Sequence, residues 1–125
     1  MNNIKLTYLY RDAGNYKKWA NVVFSNPGGV TAEAAKRALI GAFLQDGLFV
    51  ARQIRIPEAF LFDRGEANSD DHCFNELDSV EATAEVATDT YSRSISQLIA
   101  EVKREAKRGW LAFDPHDNSD QQISD

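Results

Sequence analysis

The sequence has one cysteine, Cys73, among its 125 residues, so it cannot form an internal disulfide. This scarcity is typical of a chain that folds in a reducing compartment. There is also no apolar run near the roughly 20 residues that a bilayer-spanning helix needs. The first residues, 1–5, carry neither the charged region nor the apolar stretch of a secretory leader. The sequence therefore predicts a cytoplasmic protein with no membrane contact.

Basic residues are in the minority. Fourteen Lys and Arg stand against 19 Asp and Glu, a net charge of −5, which argues against a general nucleic-acid coat. The balance is uneven along the chain, because residues 1–57 sum to +5, residues 58–92 to −9, residues 93–113 to +3 and residues 114–125 to −4. Two basic segments are thus separated by one acidic segment, and an acidic tail follows them.

The first half of the chain predicts a hairpin and a helix. Residues 4–11 alternate with period two, and residues 19–24 are rich in β-branched and aromatic side chains. Turn-forming residues between them indicate an N-terminal β-hairpin. Alanine and leucine then recur at helical spacing, which predicts a helix over about 32–45 that is capped by Thr31 and ends near Gly47.

The middle of the chain predicts further strands. Alternation favours a strand over residues 48–56, a short strand at 59–62 and a third strand over 72–80, with an acidic loop at 63–71. Arg52 falls on the otherwise apolar face of the first of these strands. An arginine there must be paired, bind an anion or reach water at a sheet edge, because a lone buried charge is costly.

The strongest periodicity lies in the last third of the chain. Apolar residues from Tyr91 to Ala106 recur along one narrow stripe, which predicts an amphipathic helix. We expect one of residues 88–90 to cap this helix and Gly109 to end it. Residues 110–113 are expected to pack back on the core as a strand or a clip.

The order of these elements predicts the fold class α+β. We expect a mostly antiparallel sheet that begins with the hairpin, with two helices packed on it. A composition of 43% hydrophobic and 26% charged residues predicts one globular domain, which we place at residues 1–113. Residues 114–125 are polar and acidic and are predicted to form a disordered tail.

The outer face of the last helix is predicted to be basic. Arg93, Arg104 and Arg108 project opposite the apolar stripe. Arg104 and Arg108 are four residues apart, so both can contact one phosphate group. A solvated face is the other explanation, on which two glutamates neutralise these arginines at a spacing of three residues. Those pairs would be Glu101 with Arg104 and Glu105 with Arg108.

A second candidate chemistry is metal-dependent hydrolysis. Carboxylates and a histidine at Asp70, Asp71 and His72 suit a divalent cation, although their spacing matches no known ligand set. Cys73 adjoins His72, but neighbours along a strand point to opposite faces and do not form a nucleophile–base pair. We therefore expect no catalytic residue, no bound metal and no cofactor, and keep the hydrolase as an alternative.

Five short segments resemble a known group of proteins. They are YRDAGNYK at 10–17, VVFSNP at 22–27, DGLFVA at 46–51, RIP at 55–57 and DDH at 70–72. Together they resemble the phage Thoeris anti-defence family, whose members sequester cyclic ADP-ribose-type signals, over about residues 3 to 108. The resemblance implies a non-catalytic protein with an N-terminal antiparallel sheet and C-terminal helices. It also implies a homodimer or higher oligomer in the host cytoplasm, with the nucleotide held in shared pockets.

The resemblance also assigns residues. It implies that Arg104 and Arg108 hold the nucleotide from a helix. Phe74 and Asn75 would correspond to the family's loop aromatic and asparagine, although their spacing differs from the family's. With the arginines singled out above, the predicted ligand-binding residues are Arg104, Arg108, Arg93, Arg52, Phe74 and Asn75. The expected partner is a small nucleotide signal rather than a long nucleic acid.

One further function stays open. The excess acid of residues 58–92 would suit a protein–protein interaction module, such as an immunity protein or antitoxin, that covers a basic partner. Affinity that falls steeply with salt would distinguish this module from a nucleotide-binding protein.

Overall fold

A computed structural model gives the fold and describes residues 2–11, 14, 16–59 and 72–113. Along the chain the elements are β1 (Asn3–Arg11), β2 (Lys17–Phe24), α1 (Ala32–Ala42), β3 (Leu48–Phe49), β4 (Asn75–Thr83) and α2 (Ile95–Arg108). Two 3₁₀ turns, Gln45–Gly47 and Ala51–Ile54, flank β3. The sheet has the order β2-β1-β4-β3, and every neighbouring pair is antiparallel. The predicted α+β class, with its N-terminal hairpin and two helices, is confirmed. The predicted tail at 114–125 lies outside the described residues.

β1 is one of the two interior strands of the sheet, and one of its faces packs into the hydrophobic core. Its core-facing side chains are Ile4, Leu6, Tyr8 and Tyr10, each at most 1% exposed. They share one cluster with the apolar stripes of both helices. This is the face that the period-two alternation predicts, because successive side chains in a strand point to opposite sides of the sheet.

Both helices begin at side-chain caps. The Thr31 hydroxyl accepts a hydrogen bond from the Ala34 N–H at 3.1 Å, as predicted. α2 begins later than predicted, because Ser94 and Gln97 form a reciprocal capping box in which each side chain accepts from the other's backbone N–H. The prediction of a cap at residues 88–90 is therefore wrong. Gly109 follows α2 with a positive φ of 102°, as expected for a residue that ends a helix.

The predicted strand at 48–56 is mostly wrong. Only Leu48 and Phe49 pair with β4, and the chain then turns through the 3₁₀ segment Ala51–Ile54. Side chains three apart lie on one side of a 3₁₀ turn, so Ala51 and Ile54 are both buried there. Arg55 closes the turn with a φ of 59°. The apolar residues at 50, 54 and 56 have the even spacing of a strand face, but they are buried because of the 3₁₀ turn.

The last predicted strand starts three residues late and runs further than expected. β4 spans Asn75–Thr83, and its register against β1 shifts so that Thr7 faces Ser79 while Tyr8 faces Leu77. Asp78 is the extra residue of this bulge, which breaks the alternation in the sequence. The predicted strand at 59–62 lies outside the described residues except for Ala59, which is in no strand.

The segment 110–113 packs back on the domain without forming a strand. The Trp110 indole N–H donates to the Ala42 carbonyl at 3.0 Å, at the end of α1. The Leu111 N–H donates to Gln53 Oε1 at 2.9 Å. The predicted clip is thus confirmed, and it joins the ends of both helices to the turn at 51–54. In the described part of the chain, neither helix is long and apolar enough to cross a membrane.

Candidate functional site

Arg93 is an internal structural cation. It lies just before α2 and is 6% exposed, so its predicted place on the solvent face of the helix is wrong. Its guanidinium contacts both carboxylate oxygens of Asp89 at 2.9 Å and lies 3.3 Å from a carboxylate oxygen of Glu101. It also donates to two main-chain carbonyls, those of Ile54 at 2.7 Å and Arg55 at 3.0 Å. Five contacts match the five N–H groups of an arginine, which leaves no donor for a ligand.

Arg93 belongs to a row of polar contacts between α2 and the 51–55 turn. We call this row the polar ladder and define it as Gln53, Arg55, Arg93, Glu101 and Glu105. Arg55 makes a two-point contact with Glu101, with N–O distances of 3.0 and 2.6 Å, and its guanidinium lies 4.4 Å from the centre of the Tyr91 ring. Arg55 lowers the pKa of Glu101 by hydrogen bonding to its carboxylate, against the opposing effect of burial. Because Glu101 is occupied in this way, the expected Glu101–Arg104 pair does not form.

The ladder continues to the end of α2. Gln53 donates from its amide to Glu105 at 3.0 Å and to the Gly109 carbonyl at 2.9 Å. Arg108 lies 3.3 Å from the same Glu105 carboxylate, so this predicted pair is confirmed. The Arg108 side chain nevertheless remains 64% exposed, and most of its surface is open to solvent.

The outer face of α2 keeps cations without ion-pair partners. Lys103, Arg104 and Lys107 are exposed, and none of them is in an ion pair within the described part of the chain. Arg104 and Arg108 follow one another on this face at a spacing of four residues, as predicted. The last two turns of α2 therefore present a basic surface, which we define as Lys103, Arg104, Lys107 and Arg108.

Arg52 is held at the opposite end of the 51–55 turn. Its guanidinium contacts the Glu58 carboxylate at 3.1 and 3.3 Å and lies 3.6 Å above the Phe113 ring. It is exposed rather than set into an apolar strand face. Two of the explanations that its sequence position allowed are therefore observed, pairing and access to water, although Arg52 lies in a 3₁₀ turn and not at a sheet edge.

The two predicted loop residues differ in their surroundings. Asn75 is 1% exposed and exchanges hydrogen bonds with the backbone of Ala59, donating at 2.9 Å and accepting at 3.2 Å. This is a structural role that fixes the start of β4. Phe74 is half-buried, with its ring 6.1 Å from that of His72. Arg104 is exposed on α2 whereas Asn75 is buried at the start of β4, so these two predicted residues do not face one common site.

The hydrolase that the sequence leaves as an alternative has little geometric support in the described residues. Asp70 and Asp71 lie outside the described residues. His72 uses Nε2 to contact the Arg11 carbonyl at 2.7 Å and Nδ1 to accept from the Phe74 N–H at 3.1 Å. Within the described ranges, no group of three His, Cys, Asp or Glu side chains is placed to hold a metal. Cys73 is buried, and burial raises the pKa of its thiol, which disfavours the nucleophilic thiolate.

A groove lies away from all of these residues. It encloses about 480 Å³ between the end of α1, the 45–47 turn and β4. Its lining residues are Lys36, Ile40, Phe43, Leu44, Gln45, Asp46, Gly47, Leu77 and Asp78. None of the predicted site residues is among them, so this concave part of the surface and the basic surface of α2 are separate features.

Ion pairs redistribute the charge of the chain. The described residues hold thirteen Lys or Arg and ten Asp or Glu, a balance of +3. Three acids of the described stretch 72–92 are paired within the chain: Glu76 with Arg11, Glu85 with Lys5, and Asp89 with Arg93. The acidic surface proposed for a basic protein partner is therefore largely neutralised in the part of it that the structure describes.

Comparison with known proteins adds no assignment. No protein-family model, no curated protein and no solved structure matches this chain. The resemblance to the Thoeris anti-defence family consequently stands on the short sequence segments alone.

Proposed function

We propose that the protein is a non-catalytic binding protein that sequesters a small anionic nucleotide of the cyclic ADP-ribose type, as in phage anti-defence. The observation that supports it is the basic surface of α2, where Arg104 has no acidic partner among the described residues and Arg108 is mostly exposed. Two guanidinium groups at this spacing suit the oxygens of one diphosphate. Binding would lower the free concentration of the signal by mass action.

An exposed helix face alone is a poor small-molecule site. Such ligands are held in concave sites that bury most of their surface, and the groove at the end of α1 lies away from this face. A second surface must therefore cover a nucleotide that rests on α2. Self-association supplies it, as the resemblance to oligomeric sponges implies, and we propose that two copies enclose the ligand.

The test is calorimetric titration with cyclic ADP-ribose, alongside the native mass of the free and bound protein. We expect binding to an oligomer and release of chemically unchanged ligand on denaturation. Adenosine, which lacks the phosphates, should not compete. Recovery of a cleaved nucleotide would contradict a sequestering role.

Arg104→Ala provides the residue-level test. Because a hydrogen bond to a charged group is worth about 1.5–3 kcal/mol, we expect binding to weaken about 10- to 100-fold. Arg37→Ala is the matched control, since it removes an exposed arginine from α1 and changes the net charge equally. Equal losses from the two variants would indicate nonspecific attraction instead of a site.

A further inference from the structure

β2 is an edge strand, and its outer side is not paired with another strand of the described sheet. β2 is the last strand of the sheet, so only its inner side is paired, with β1. Val23 points its main-chain groups outward, because its N–H donates to Thr88 Oγ1 and its C=O accepts from the Thr88 N–H, both at 2.9 Å. In an antiparallel strand, the main-chain N–H and C=O groups of every second residue point to the same side of the strand. Lys17, Trp19 and Asn21 therefore also point their N–H and C=O groups outward.

Among the residues that the structure describes, nothing hydrogen-bonds to these outward groups along residues 17–21. Within the described residues, Thr88 and Asp89 satisfy only the Val23 end of the edge. The open stretch contains no proline, and its pairing with β1 runs without a register shift. Such an edge accepts another strand through main-chain hydrogen bonds, and Thr88 already forms one contact of this kind.

The side chains at the edge indicate the chemistry of the added strand. Lys17 and Lys18 are exposed and have no ion-pair partner in the described part of the chain. As neighbours in a strand they lie on opposite faces of the sheet, so an incoming strand meets a cation on each face. Trp19 lies on the same face as Lys17 and is 52% exposed, an apolar area that a partner side chain can cover.

We infer that the outer edge of β2 binds an extended acidic segment of a partner protein, which adds as a fifth strand beside residues 17–21. Two adjacent acids of that segment lie beside Lys17 and Lys18, on opposite faces, and an apolar residue lies beside Trp19. Charge complementarity selects this partner over a second copy of β2, because β2 itself contains no acidic residue that could lie beside Lys17 and Lys18. This surface is distinct from the basic surface of α2.

The experiment uses two synthetic eight-residue peptides of alternating Val and Thr. One carries Val-Glu-Glu at its centre, which places Val beside Trp19 and the two acids beside Lys18 and Lys17 when the peptide adds antiparallel to β2, and the other carries Val-Lys-Lys. Each is titrated into the ¹⁵N-labelled chain and followed by amide chemical shifts and hydrogen exchange. We expect the acidic peptide to bind at least about tenfold more tightly and to protect the Trp19 and Asn21 amides from exchange.

Asn21→Pro separates edge binding from folding. Proline removes one outward N–H, and the paired side of β2 keeps all its hydrogen bonds, so the variant should fold with an unchanged circular dichroism spectrum. The affinity of this variant for the acidic peptide should be lower by about tenfold or more. The double variant Lys17→Glu and Lys18→Glu should reverse the preference between the two peptides. Equal affinity for both peptides, shifts confined to other elements, or protection of the Trp19 amide by self-association without peptide would each overturn the inference.

Discussion

Replacing Arg93 with methionine tests the polar ladder between α2 and the 51–55 turn. Methionine retains an apolar stem of similar length and removes the guanidinium. The Asp89 side chain is 2% exposed and would then keep only the Arg93 backbone N–H as a donor among the contacts it makes now. The Ile54 carbonyl would lose its 2.7 Å hydrogen bond as well. Removing one partner of a buried ion pair costs about 3–5 kcal/mol, and we expect a loss of that size.

Urea denaturation followed by tryptophan fluorescence measures this loss. It is a large part of the total, since domains of this size unfold with about 5–15 kcal/mol. Arg104→Ala is the control on the same helix, and it should change stability by less than about 0.5 kcal/mol. Adding Asp89→Asn to Arg93→Met should recover part of the loss, because it removes the buried unpaired charge. A loss for Arg93→Met below about 1 kcal/mol, equal to that of the control, would refute the assignment of Arg93 as an internal structural cation.

Three further outcomes are expected from the same unfolding assay. Hydrogen bonds from Arg55 lower the pKa of Glu101 from its ordinary value of 4.5, so the stabilisation that they give is complete above that value and is lost as pH falls through the lower folded pKa. The urea concentration at the unfolding midpoint should therefore decrease when the pH is lowered below about 4. In Glu101→Gln this decrease should be smaller. Ser94→Ala removes one half of the capping box and should cost about 1 kcal/mol without changing the slope against urea. Tyr8→Phe deletes the hydroxyl that donates to the Pro57 carbonyl and should cost about 0.5–1.5 kcal/mol, and a neutral result would show that water replaces this bond.

The sequence predicts β1 and α2 well because their side-chain periods extend over eight or more residues, and it predicts β2 from its β-branched and aromatic composition. It fails at 48–56, where three apolar positions fit a strand and a 3₁₀ turn equally well. Distinguishing the two requires knowing that Arg55 pairs with Glu101, a contact that joins positions 46 residues apart. Contacts of that range leave no mark on local periodicity.

The candidate site shows where a readable signal was missed. Arg93 and Arg104 project at similar angles from a continuous helix, so periodicity treats them alike. Ser94 with Gln97 is a capping-box pattern, and it places the start of α2 after Arg93. Because α2 starts after Arg93, this residue belongs to the preceding turn. The direction of its side chain therefore cannot be predicted from helical periodicity.

Folding pairs many of the charges that are segregated along the sequence. Acids of β4 and its flanks neutralise bases of β1 and of the turn before α2. In the described part of the chain, the bases without an ion-pair partner lie on three elements: α1, the end of α2 and the start of β2. The two proposals are therefore separable: Arg104→Ala should weaken nucleotide binding and leave the acidic peptide bound, and charge reversal at Lys17 and Lys18 should do the opposite. Loss of both ligands in either variant would mean that long-range charge, rather than local geometry, governs binding.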